Sequence, residues 1–116
     1  MVRRVLATAA ELERHARGSG AARARRLVVE APGACLEMGS RERLLLGRGA
    51  GCDVVIPGGR VSRAHAAVVR RGAEYWVLDL GSRNGTWHRG ERVARRCLAD
   101  GEELHLSDTP VRFHLW

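Results

Sequence analysis

The sequence predicts an all-β domain of the sandwich or barrel class, and three observations carry that expectation. Apolar residues recur with a period of two in short runs, turn residues separate nearly all of those runs, and no long helical pattern interrupts them. Taken in order, Leu27-Val-Val29, Cys35-Leu-Glu-Met38, Arg43-Leu-Leu-Leu46 and Val54-Val-Ile56 are short segments rich in branched residues. Ala66-Ala-Val-Val69 leads across Arg70-Arg-Gly-Ala into Tyr75-Trp-Val-Leu-Asp-Leu80, an aromatic and branched run of strand length. Leu104 and Leu106 alternate with Glu103, His105 and Ser107, and Val111, Phe113 and Leu115 alternate with Arg112, His114 and Trp116, as half-buried strands require. Pro32-Gly33, Gly39-Ser40, Pro57-Gly-Gly59, Asn84-Gly85, Asp100-Gly101 and Pro110 punctuate the series. No internal repeat is present.

The first 23 residues differ in texture. They are rich in Ala, Arg and Glu and break at Gly18-Ser19-Gly20, so they read as an N-terminal basic arm, helical or disordered, ahead of a folded domain over 24–116. At 116 residues the chain suits one core plus such an arm. A 45% hydrophobic fraction with 28% charged residues argues against wholesale disorder. The net charge of +7 invites a nucleic-acid reading, but seven of the arginines against two glutamates lie within residues 1–26, and the rest of the chain carries only +2. Cys35, Cys52 and Cys97 are odd in number and widely spaced with no C-x-x-C, which suggests neither a disulfide framework nor a zinc site and fits a reducing, cytoplasmic compartment. No apolar stretch approaches the roughly 20 residues needed to span a bilayer, and Glu11 and Glu13 interrupt any signal-peptide pattern.

Chemistry concentrates between Gly47 and Gly90. Gly47-Arg48, Val61-Ser-Arg-Ala-His65 and Asp79-Leu-Gly-Ser-Arg-Asn-Gly-Thr86 all follow or precede strand-like runs, and loops at one end of a sandwich can converge. Arg48, Arg63 and Arg83 offer permanently charged planar forks and Ser62 a short hydroxyl donor, the groups a phosphate dianion calls for.

The set Gly47-Arg48, Ser62-Arg-Ala-His65, Ser82-Arg-Asn-Gly-Thr86, then Arg89-Gly90, with Leu98-Ala-Asp-Gly-Glu102 and Phe113 further on, resembles the forkhead-associated (FHA) domain family over about residues 26–116. The resemblance implies an FHA/SMAD-like sandwich of about eleven short strands that binds phosphothreonine peptides in Ser/Thr kinase signalling, with no catalysis, cofactor or metal. It implies that Arg48, Ser62, Arg63 and Arg83 contact the phosphate and that Asn84 reads the peptide main chain. Arg60 would sit where some members select the residue three after the phosphothreonine. Gly47, His65, Gly85 and Thr86 would support the loops, with Ser82 and Thr86 favouring hydrogen bonds internal to the loop. Asn84-Gly85 is also a strong short hairpin signal, so Asn84 can serve a turn as well as a peptide. Two departures stand out: Arg89 replaces the usual Asn of a second Asn-Gly, which makes it a candidate specificity residue, and Ser107 replaces a Gly that often ends the penultimate strand.

Rival readings are weaker. Gly81-Ser82 lacks the glycine of a nucleophile elbow, and Gly47-x-Gly-x-Gly51 lacks the last glycine and the helix of a dinucleotide loop. Arginines of the arm could contact nucleic acid, and an FHA-fold scaffold could hold a partner independently of phosphate. Thr8, between Arg3-Arg4 and Glu11, is a conceivable phosphorylation site that the domain would bind in its own arm.

Overall fold

A computed structural model describes residues 25–116. The arm over 1–23 and Thr8 lie outside the described residues. Eleven strands follow one another: β1 (Leu27–Ala31), β2 (Ala34–Glu37), β3 (Arg43–Gly47), β4 (Val54–Val55), β5 (Ala66–Arg71), β6 (Glu74–Asp79), β7 (Thr86–His88), β8 (Glu91–Arg92), β9 (Arg95–Cys97), β10 (Glu102–Leu106) and β11 (Thr109–Leu115). They form a six-stranded sheet in the order β2-β1-β11-β10-β7-β8 and a five-stranded sheet in the order β4-β3-β5-β6-β9. All pairings are antiparallel except β3 with β4.

Alternation along the strands builds the core between the sheets. Leu27, Val29, Leu104, Leu106, Val111, Phe113 and Leu115 from one sheet meet Leu44, Leu46, Ala66, Val68, Tyr75 and Val77 from the other. Tyr75 and Phe113 are the largest fully buried side chains. Burying each such side chain contributes about 1.5–3 kcal/mol. The Tyr75 hydroxyl, which burial would otherwise orphan, donates to the Arg25 carbonyl at 2.7 Å. Arg26 and Trp116 exchange backbone hydrogen bonds of 2.7 and 3.1 Å, so the first and last described segments close the sandwich side by side.

The strand-like runs all fall within strands, with shifts of one or two residues at their ends. Three strands, β7, β8 and β9, were not signalled by periodicity because each is only two or three residues long and largely polar. Asn84-Gly85 is not a hairpin turn. It lies on the crossing from β6 in one sheet to β7 in the other. The hairpin of that region is Arg89-Gly90, between His88 and Glu91, where both residues have positive φ (50° and 82°) as a type I′ turn requires. Ser107 (φ 60°) opens the two-residue turn between β10 and β11. The two departures from the family pattern are therefore the two non-glycine residues that adopt left-handed backbone among the described residues. No helix among them is long and apolar enough to cross a membrane.

Candidate functional site

Three loops adjoin at one end of the sandwich: the loop from β3 to β4, the loop from β4 to β5, and the crossing from β6 to β7. The first two are locked backbone to backbone. Arg48 N donates to Ser62 O at 3.0 Å and Gly49 N to Arg63 O at 3.1 Å. A Cβ on Gly47 would lie 2.2 Å from the Arg63 carbonyl oxygen, so only glycine permits this approach. Arg48 Nε donates to Val61 O at 3.0 Å, which fixes the guanidinium stem and leaves the terminal nitrogens of this exposed side chain available.

The second and third loops are joined through side chains. Ser62 Oγ accepts from Arg83 N at 3.1 Å, so its own proton remains for a ligand. Asn84 Nδ2 donates to Arg60 O at 2.9 Å, which orients the amide and keeps its carbonyl oxygen for another donor. His65 is fully buried, and both ring nitrogens work within the fold: Nδ1 accepts from Ser62 N at 3.1 Å, and Nε2 donates to Gly85 O at 2.9 Å. That assignment requires the neutral imidazole. Burial lowers the His65 pKa and the charge of Arg92 adds to the lowering, against the raising effects of the Gly85 hydrogen bond and Asp79. His65 is thus a structural brace.

Asp79, at the end of β6, is the organising group that sequence reasoning missed. Its Oδ1 accepts from Ser82 Oγ at 2.6 Å and Thr86 Oγ1 at 2.8 Å, and its Oδ2 accepts from Gly81 N and Ser82 N, each at 3.0 Å. Burial raises its pKa, but the hydrogen bonds from Ser82 and Thr86 with the nearby His65 outweigh burial and hold it below the usual carboxylate range. Ser82 Oγ in turn accepts from Gly85 N at 2.9 Å. Ser82 and Thr86 are therefore bonded within the loop. From outside, Trp87 Nε1 donates to Asn84 O at 2.9 Å, and the Arg92 guanidinium lies 6.0 Å from the Trp87 ring centroid.

The structure thus brings Arg48, Arg60, Ser62, Arg63, Arg83 and Asn84 to one loop cluster, with Gly47, His65, Gly85 and Thr86 beneath it. Arg89 is not among them. The strand β7 leads away from the loops, and Arg89 lines a cleft with Gly101 and Glu102 at the far end of β10, whereas Gly85 is bonded by Ser107 just beyond its near end. The three cysteines are unpaired, and no group of three metal-ligating side chains occurs among the described residues.

The two sheets define a β-sandwich with the loop cluster at one end. The chain belongs to the FHA domain family, whose family model matches residues 44–107. It is similar to the glycogen accumulation regulator GarA of Mycolicibacterium smegmatis, at 38% identity over 60 residues that cover 52% of this chain and 38% of that protein. Among solved structures it is similar to FHA-1 of Rv1747 from Mycobacterium tuberculosis, with a TM-score of 0.74 at 22% identity over 80% of this chain and 98% of that one. It also resembles EmbR of the same organism, solved with a low-affinity phosphopeptide, with a TM-score of 0.69 at 27% identity over 77% of this chain and 24% of that one. The chain spans less than half the length of the curated relatives it matches.

Proposed function

We propose that this domain is a phosphothreonine-peptide reader that mediates phosphorylation-dependent association with substrates of a Ser/Thr protein kinase, without catalysis of its own. The observation that supports it most is the state of the donors in the loop cluster. Arg48 is anchored through Nε with its terminal nitrogens available, Ser62 has an unspent hydroxyl proton, and Asn84 has one amide arm fixed and its carbonyl open. These are a fork and a hydroxyl for a phosphate and an amide for a peptide main chain. Arg63 and Arg83, exposed on the same loops, add charge toward the phosphate, and Arg60, whose carbonyl accepts from Asn84, is the candidate for selecting the residue three after the phosphothreonine. The working unit is residues 24–116, a boundary supported by the Arg26–Trp116 closure. A cytoplasmic setting suits the three thiols.

Isothermal titration with phosphothreonine, phosphoserine and unphosphorylated versions of one peptide library tests the reading. Phosphothreonine peptides should bind and unphosphorylated ones should not. Arg48→Ala removes charge-assisted bonds of about 1.5–3 kcal/mol each, so affinity should fall at least tenfold. Binding indifferent to phosphate would overturn the proposal.

A further inference from the structure

We propose that the outer face of the five-stranded sheet is a second docking surface, which receives an amphipathic helix of a partner protein whose apolar stripe is flanked by carboxylates. The registers align two cross-strand rows on that face, Leu45–Ala67–Leu78–Arg95 and Arg43–Val69–Trp76–Cys97. Their sequence neighbours Leu44, Leu46, Ala66, Val68, Tyr75 and Val77 face the core, so alternation turns these rows outward. An antiparallel sheet with one wet face normally carries polar residues there. Here six of the eight are apolar or cysteine, Ala67 is only 4% exposed beneath its neighbours, and Leu80 continues the patch at 43% exposed.

The other sheet shows the contrast. Its outer face carries Glu30, Arg112, Glu103, His105 and His114 beside Val28, Cys35, Trp87 and Pro110, and the charged residues are joined by contacts such as His114–Glu30 at 2.7 Å and Arg112–Glu103 at 2.8 Å. One face of the molecule is thus mostly charged and internally paired, and the opposite face mostly apolar. Every described strand belongs to one of the two sheets, so none lies across the strip.

Charge and size select the occupant. Arg43 and Arg95 close the two rows at opposite corners and Arg71 follows Val69 and Arg70 on β5; all three are exposed, and none pairs with a carboxylate among the described residues. The neighbouring acid, Glu74, accepts the Trp76 indole N–H at 3.1 Å. A second copy would set arginine against arginine. Four strands about 4.8 Å apart make a strip roughly 15–20 Å across, about the length of three helical turns. Two rows offer a few hundred Å², the scale of a weak, transient contact with one short helix, against roughly 800 Å² per partner for a stable interface.

The test places the photo-crosslinking residue p-benzoylphenylalanine at position 76, and separately at position 80, in the full protein in its native cells, and sequences the adducts. The expected adduct is a segment of another protein with apolar residues at helical spacing and Asp or Glu on its flanks. It should persist in Arg48→Ala and after phosphatase treatment. It should fall at least tenfold when Arg43→Glu and Arg95→Glu are combined, while melting temperature and phosphopeptide affinity stay unchanged. Absence of an adduct at both positions, an adduct with residues 1–24 or with a second copy, or an acid-poor partner segment would overturn the proposal.

Discussion

Replacing Asp79 by Asn tests whether one carboxylate holds the third loop. In the native protein Oδ2 faces two backbone N–H groups that cannot turn away, and Oδ1 faces two hydroxyls that can rotate. The amide of Asn would therefore keep its carbonyl toward Gly81 and Ser82 and point its NH2 at Ser82 Oγ and Thr86 Oγ1. The two backbone bonds survive but lose their charge assistance, falling from about 1.5–3 to about 1 kcal/mol each. The two hydroxyl oxygens accept from the new NH2, but their charge-assisted bonds to the carboxylate are lost as well, which adds to the cost. The expected loss is at least about 2 kcal/mol, or a fall in Tm of roughly 8–16 °C or more for a domain of this size. Urea unfolding followed by tryptophan fluorescence measures it. The pH dependence supplies a second check with a definite sign. Because folding lowers the Asp79 pKa, its contribution is complete above the unfolded value near 3.8 and is lost as pH falls through the folded value. The gap between wild type and variant should narrow below about pH 4. A loss under about 0.5 kcal/mol at pH 7, or a gap that does not narrow in acid, would refute the reasoning.

Other perturbations probe neighbouring parts. Folding lowers the His65 pKa, so its contribution is complete above the unfolded value of 6.5 and declines as pH drops toward the folded value; stability measured between pH 7.5 and 5 should fall in wild type and fall less in His65→Gln. Gly47→Ala drives a Cβ into the Arg63 carbonyl and should part the first two loops, lowering phosphopeptide affinity more than tenfold together with Tm, as calorimetry and titration would record. Arg89→Gly relieves left-handed backbone at φ 50° and should raise stability by about 1 kcal/mol, leaving phosphopeptide affinity unchanged because the turn lies away from the loop cluster.

Periodicity was sufficient to find the strands that supply the core, because Leu104/Leu106 and Val111/Phe113/Leu115 alternate cleanly. It could not find β8 or β9, since Glu91-Arg92 and Arg95-Arg96 have no apolar face and are strands only through their partners. The loop residues were legible as motif spacing, but their hierarchy was not. Asp79 before Leu80-Gly81 reads as the start of a turn, and its four acceptor contacts depend on how the chain crosses between sheets. The Trp87 indole bond to Asn84 is hidden for the same reason: a bond from side chain to backbone has no sequence period. Arg89 shows the converse, a departure visible in sequence whose left-handed backbone appears only in the structure.

The closure of Arg26 on Trp116 has a consequence for how such a domain is carried. Strand β11 begins beside the turn at Ser107, which bonds the loop cluster through Gly85, and runs away from it, so Arg26 and Trp116 lie together at the opposite pole. A tether joined at Arg26 or at Trp116 therefore starts from the pole opposite the loop cluster and leaves that cluster facing outward into solvent.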